Sequence, residues 1–220
     1  MTIEALDAEA IAESLVAERV APQVAAGCAA RVDGRWRTEH GGAVGTFFDL
    51  ASVTKPMTAV AVARAEAAGA LDRRAPLGAL LPDLAWSASG EVSLELLLAH
   101  RGGLEAHVPL FEPLARGEAF DAKGALRTAA DARRADAEGT IPPAGFPAVY
   151  SDLGYLLAGV ALARAIGAKD AGEAIQRLVT APLRLDAELG TARDLEGRGI
   201  DLTRDAAPTE DVAWRGGVVR

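Results

Sequence analysis

Apolar residues recur at helical spacing among acidic ones from Ile3 to Val20, at Ile3, Leu6, Ile11, Leu15, Val16 and Val20. That period predicts an amphipathic helix, ended by Pro22. The pattern then changes. Residues 23–32 are small and apolar, which predicts a buried strand, and Asp33-Gly34 is the dipeptide of a tight hairpin turn. Residues 35–39 read as the returning strand, followed by a glycine-rich bend at His40-Gly41-Gly42 with His40 facing solvent. Met57 to Ala68 carries only Arg64 and Glu66 as charges. A helix apolar on most of its surface belongs inside a protein, and Gly69 stops this one. The proline-punctuated stretch 71–83 predicts a surface loop. Ser93 caps a short predicted helix, Leu94 to His100, ended by Gly102-Gly103. Residues 108–120 are irregular, and Lys123 to Glu138, rich in Ala and Arg with interleaved acids, reads as a solvated helix. A stiff loop, Ile141-Pro142-Pro143-Ala144-Gly145-Phe146-Pro147, leads to a helix from Leu153 to Ile166 closed by Gly167. Beyond it, Asp170 and Glu173 stand at reciprocal-capping spacing.

The chain has 220 residues, 50% hydrophobic and 25% charged, with a formal charge of −8. That is a globular composition large enough to bury roughly 70% of its unfolded surface without staples. The acidic balance, with no basic patch or interleaved aromatics, excludes nucleic acid as a partner. Cys28 is the only cysteine and reads as a buried structural thiol. The N-terminus places several acids before Arg19 and has no continuous apolar core, so it does not read as a signal peptide, and no stretch reaches the length of a membrane span. The expected location is cytoplasmic.

One stretch changes the picture. Ser52 and Lys55 stand three apart at the mouth of the helix that runs on through Met57. Residues so spaced share a helix face, with Cβ atoms roughly 5–6 Å apart. An amine held among apolar side chains prefers its neutral form, and a neutral amine can take a proton. The helix N-terminus favours an alkoxide over an ammonium. A serine so activated can attack a carbonyl carbon. The 23 cationic residues comprise only three lysines, Lys55, Lys123 and Lys169, against twenty arginines, which cannot act as bases. The competing reading makes Ser52 a helix cap and Lys55 a snorkelling first-turn residue.

The longer run Phe48-Asp49-Leu50-Ala51-Ser52-Val53-Thr54-Lys55-Pro56 resembles the nucleophile motif of the serine β-lactamase and penicillin-binding-protein superfamily, closest to its class C-like branch. Tyr150-Ser151-Asp152 resembles the family's second motif, Tyr-x-Asn, about a hundred residues after the serine. The resemblance implies that Tyr150 shares the serine's proton with Lys55. Asp152 stands where the family's asparagine holds lysine and substrate. An aspartate there would keep Lys55 charged, which moves the base role toward Tyr150. Asp152 also reads as a plain N-cap of the following helix. Residues 96–104, Leu-Leu-Leu-Ala-His-Arg-Gly-Gly-Leu, resemble a family stretch in which the histidine is structural, so His100 is read as structural rather than as a base.

The resemblance implies an α/β (α+β) fold of the β-lactamase type, an antiparallel sheet packed by helices plus a helical subdomain. Residues 1–45 would hold the N-terminal helix and first strands, and residues 46–190 the mainly helical part with both motifs. Residues 191–220 would return toward further strands. Residues 207–216 also look like this branch, but a third motif of the His/Lys-x-Gly type is not in the sequence, so the sheet is expected to be incomplete and activity weak. The implied function is a serine hydrolase that forms an acyl-enzyme on Ser52. Lys55 and Tyr150 would be catalytic and Asp152 substrate-binding. The substrate would be a small molecule or peptide with a reactive ester, amide or β-lactam carbonyl, and no cofactor or metal is needed. The alternative is a non-catalytic penicillin-recognising binding module or an inactive fragment. A Ser-His-Asp hydrolase would need a Gly-x-Ser-x-Gly elbow, which the sequence lacks.

Overall fold

The computed structural model describes residues 7–208, 212–214 and 217–219. It divides into two compact units, one of Met1–Asp49 with Leu195–Val212 and Val218–Arg220, the other of Leu50–Asp194 with Ala213–Gly217.

In the first unit, α1 (Ala8–Ala17) starts at Asp7, whose carboxylate accepts the Ala10 N–H at 3.0 Å. The helix ends five residues before Pro22, where Arg19 takes a positive φ of 59°. Its buried residues are Ala8 and Ala12, while Ile11 and Val16 lie exposed. The large apolar residues therefore do not form the packing face. Ile3 and Leu6 lie outside the described residues. The reason is on the partner strand. β1 (Ala25–Val32) and β2 (Arg35–Gly42) form an antiparallel ribbon with Val32 opposite Arg35. A Cβ on Gly41 would overlap the backbone of Ala8 and Glu9, and one on Gly42 would meet Val24 O and the Ala12 side chain. Only small residues fit this approach. The Glu9 carboxylate also accepts the Gly42 N–H at 2.8 Å.

The hairpin turn is the predicted one. Asp33 and Gly34 both have positive φ, 51° and 76°, as the type I′ turn requires. The glycine-rich bend is instead the end of β2. β1 is not buried but alternates exposed and half-buried residues, and Cys28 is half-buried. His40 is exposed. Near the unit's other end, Phe47 N–H donates to Asp205 O at 2.9 Å and Phe47 O accepts from Ala207 N–H at 2.8 Å.

The second unit is helical. After a 3₁₀ turn at Ala51–Val53 come α2 (Thr54–Ala67), α3 (Leu77–Leu80), α4 (Leu94–Leu98), α5 (Glu112–Ala115), α6 (Ala122–Asp131), α7 (Asp152–Ala165) and α8 (Ala171–Ile175), which runs into a π turn at Gln176–Thr180. In chain order there follow α9 (Ala192–Gly197), which spans the boundary at Leu195, α10 (Leu202–Asp205), which belongs to the first unit, β3 (Val212–Trp214) and β4 (Gly217–Val219). Positions 209–211 and 215–216 of the family-like C-terminal stretch lie outside the described residues.

α7 is the helix buried nearly all round, through Leu153, Gly154, Leu157, Ala158, Gly159, Ala161, Leu162 and Ala163. It contributes to both apolar clusters of the unit. One gathers Leu77, Leu81, Leu84, Val92, Leu97 and Leu104, the other Ala61, Val62, Ala65, Leu71, Leu94 and Ala174. Gly154 lets the α4 backbone approach closely, since a Cβ there would stand 3.0 Å from Leu97 O. α2, in contrast, buries one face, Thr58, Ala61, Val62 and Ala65, and leaves Val60 and Ala63 exposed. Its lack of charge reflects small residues rather than full burial.

The stretch 71–83 is also not a surface loop. Pro76 leads into α3, and Leu77 and Leu81, four apart, are fully buried. α6 stops at Asp131 rather than Glu138 and buries Ala129 and Ala130, so it is half in the core. Ser93 precedes α4 without a side-chain cap bond. At α8, Asp170 accepts the Glu173 N–H at 2.8 Å, and Glu173 reaches back to the N–H of Lys169 at 2.6 Å, one residue before the expected Asp170.

Candidate active site

Two elements of the second unit meet. The first is the turn ahead of α2. Ala51 adopts φ 41°, a left-handed conformation that costs an alanine roughly 1–2 kcal/mol, and it sits immediately before Ser52. Ser52 is exposed, and the 14-residue α2 points its positive end at this turn. Lys55, on the first turn of α2, donates from Nζ to Ser52 Oγ at 3.1 Å.

The second element is the loop that enters α7. Ser151, not Asp152, is the N-cap: its hydroxyl accepts the Gly154 N–H at 3.4 Å and donates to Glu105 O at 2.7 Å. Asp152 is thereby the first helical residue, and its side chain is free of capping. Asp152 Oδ1 accepts from Lys55 Nζ at 2.6 Å, across 97 residues of chain. Tyr150 hydroxyl lies 2.7 Å from Ser52 Oγ, across 98 residues. Both partners there are hydroxyls, so the proton can lie on either oxygen. Lys55 Nζ also stands 4.8 Å from the Tyr150 ring centroid and 5.9 Å from that of Tyr155.

The charges follow from these contacts. Burial alone would lower the Lys55 pKa, but the hydrogen bonds to Asp152 and Tyr150 and the Asp152 charge outweigh it and leave it raised. Lys55 is therefore an ammonium at neutral pH and not the free amine that its apolar setting suggested. Tyr150 is lowered, first by its bond with Lys55 and then by that with Ser52. Asp152 is lowered, chiefly by the hydrogen bond from Lys55. An ammonium and a phenol of lowered pKa thus contact one hydroxyl, and a carboxylate holds the ammonium.

Three further residues join them. His100 Nδ1 accepts the Ser151 N–H at 3.0 Å, and its ring centroid lies 4.5 Å from Tyr150 and 5.2 Å from Tyr155. Burial, then the Lys55 charge, lowers the His100 pKa, so the ring is neutral at neutral pH, with its proton on Nε2. Tyr155 donates to Leu98 O at 3.0 Å, and burial raises its pKa. His107 Nδ1 lies 3.5 Å from Asp152 Oδ2. The sequence reading gave His107 and Tyr155 no role. His107 sits in an aperiodic stretch with nothing to mark it, whereas Tyr155, three residues after Asp152, was open to the same helical-spacing argument that joined Ser52 to Lys55. Among the described residues no cluster of three metal-ligating side chains occurs.

The sequence profile described as Beta-lactamase matches residues 9–218. The chain belongs to the beta-lactamase family. No curated protein sequence matches it. Among solved structures, a class C beta-lactamase from Rhodobacter sphaeroides is 27% identical with a TM-score of 0.62, over 91% of this chain and 56% of that one. A class C beta-lactamase in complex with cefoxitin is 20% identical with a TM-score of 0.61, over 84% and 51%. D-alanine carboxypeptidase AmpC from Burkholderia cenocepacia is 24% identical with a TM-score of 0.54, over 77% and 45%. The chain therefore spans about half the length of the solved family structures it matches. The fold is accordingly the β-lactamase-like mixture of helices and a small antiparallel ribbon. No helix among the described residues is long and apolar enough to cross a membrane.

Proposed function

We propose that this chain is a serine hydrolase that forms an acyl-enzyme on Ser52 with an ester, amide or β-lactam substrate. The single observation that supports it is the Ser52 hydroxyl within hydrogen-bond reach of both Lys55 Nζ, at 3.1 Å, and Tyr150 Oη, at 2.7 Å. In this reading Tyr150, ionised beside the Lys55 ammonium, takes the Ser52 proton as Oγ bonds to the carbonyl carbon. The tetrahedral intermediate collapses, the bond to the leaving group breaks, and Tyr150 returns the proton to it. Water then attacks the acyl carbon, giving a proton to Tyr150; the bond to Ser52 Oγ breaks, Tyr150 returns that proton to Oγ, and the acid is released. Asp152 holds Lys55 charged throughout and presents its remaining edge to substrate. General-base work of this kind contributes roughly 10²–10⁴ in rate.

The test is covalent labelling. A fluorophosphonate or a penicillin should modify Ser52, and Ser52→Ala should abolish the label. A folded chain that takes no label from either reagent overturns the proposal and leaves the non-catalytic binding module. Parallel assays with a chromogenic cephalosporin and a short-chain nitrophenyl ester then divide lactam from ester substrates.

A further inference from the structure

Tyr150 is half exposed and sits on a loop, yet its hydroxyl must hold one position between Ser52 and Lys55. His100 grips the chain on both sides of it. The His100 carbonyl accepts the Val149 N–H at 3.0 Å, and its Nδ1 accepts the Ser151 N–H at 3.0 Å. Its ring lies against the Tyr150 ring between these two bonds. This arrangement needs an unusual backbone. His100 has φ 59°, a left-handed conformation at the end of α4, which turns its carbonyl and its ring toward the same loop.

We propose that His100 is the positioning residue that fixes Tyr150 against Ser52 and Lys55, through an unprotonated Nδ1 that accepts the Ser151 N–H. The proposal deepens the acyl-serine reading and rests on it for its catalytic meaning. A protonated imidazole carries hydrogen on both nitrogens and cannot accept the Ser151 N–H. The groups facing His100 are Lys55 on α2, Tyr150 and Ser151 on the loop, and Asp152 and Tyr155 on α7. Burial and the Lys55 ammonium keep the ring neutral, which keeps the acceptor available. Below the ordinary histidine range of about pH 6.5, protonation progressively removes it.

Two substitutions separate the acceptor from the backbone. Asn and Gly both tolerate a positive φ, and only Asn offers a side-chain oxygen near the place of Nδ1. The sequence contains two tyrosines, so Tyr155→Phe leaves Tyr150 as the one phenol whose ionisation tyrosinate absorbance reads. In that background the full chain with His100→Gly should titrate at a midpoint at least one pH unit higher, because Tyr150 leaves the ammonium. His100→Asn should keep the parent midpoint. A folded His100→Gly chain that titrates at the parent midpoint overturns the proposal. Should the glycine variant not fold, the asparagine variant decides: an unchanged midpoint supports the acceptor role and a raised one overturns it. Labelling of Ser52 supplies the catalytic readout. His100→Gly should lose at least tenfold in fluorophosphonate rate, with His100→Asn restoring most of it. The absorbance titration does not depend on acylation. A midpoint shift in His100→Gly together with a parent chain that takes no label therefore sinks the hydrolase reading and leaves the positioning intact.

Discussion

Asp152 faces an ammonium and an imidazole, with one oxygen 2.6 Å from Lys55 and the other 3.5 Å from His107. Its hydrogen bond and then its charge help to raise the Lys55 pKa against burial, and its charge partly opposes the lowering of Tyr150. Asp152→Asn should therefore lower both values and move the whole pH–rate bell for Ser52 labelling to lower pH. A shift of its two limbs in opposite directions would contradict the pairing. Tyr150→Phe should cost about 10²–10⁴ in the same labelling rate while leaving the melting temperature nearly unchanged, because Tyr150 is half exposed on a loop. The pair also links stability to pH. Asp152 is depressed, so its contribution is present above the ordinary carboxylate pKa of about 3.9 and fades as pH falls through the lower folded value. Lys55 is raised, so its contribution is present below about 10.4 and fades as pH rises through the higher folded value. With Asp152 half exposed the effect is under about 1 kcal/mol. Urea midpoints of wild type and Asp152→Asn should differ near pH 7 and draw together as pH falls below the ordinary carboxylate value of about 3.9. At this scale the three-residue spacing of Ser52 and Lys55 made their meeting legible, since it follows from local helix geometry. His107 was not legible, because a contact across a loop leaves no period in the sequence.

Elements were read best where one local rule decides them. The Asp33-Gly34 turn needed two left-handed residues and found them, so the hairpin register followed. Helix faces were read worse. In α1 the alanine face is buried because Gly41 and Gly42 bring β2 against its backbone, a choice made by the partner and invisible in the helix's own period. Gly41→Ala should accordingly destabilise by about 1–3 kcal/mol, seen as a lower urea midpoint, because backbone cannot move aside as a flexible side chain would. α2 was expected to be buried on most of its surface, yet α7 is the helix that is. Both are poor in charge, but α7 carries the leucines that fill two apolar clusters, and α2 carries small residues that cover one face.

Across the whole chain, the candidate site joins residues 97 and 98 positions apart, and both contacts lie within the unit Leu50–Asp194. Their geometry is a property of that unit's core rather than of either motif. Leu157→Ala, fully buried on α7, should lose about 2–5 kcal/mol. It should move the urea midpoint of Ser52 labelling together with that of far-UV dichroism. A labelling midpoint that stays in place would show the site to be locally assembled. The sequence by itself determined the hairpin, the presence of most helices and the pairing of Ser52 with Lys55, because each depends on residues within a few positions of one another. Only the tertiary structure decided which helix faces are buried, that Ser151 rather than Asp152 caps α7, and that His100 and His107 stand beside Tyr150 and Asp152. Those outcomes depend on electrostatics and close packing between segments distant in the chain, and neither is written in a local period.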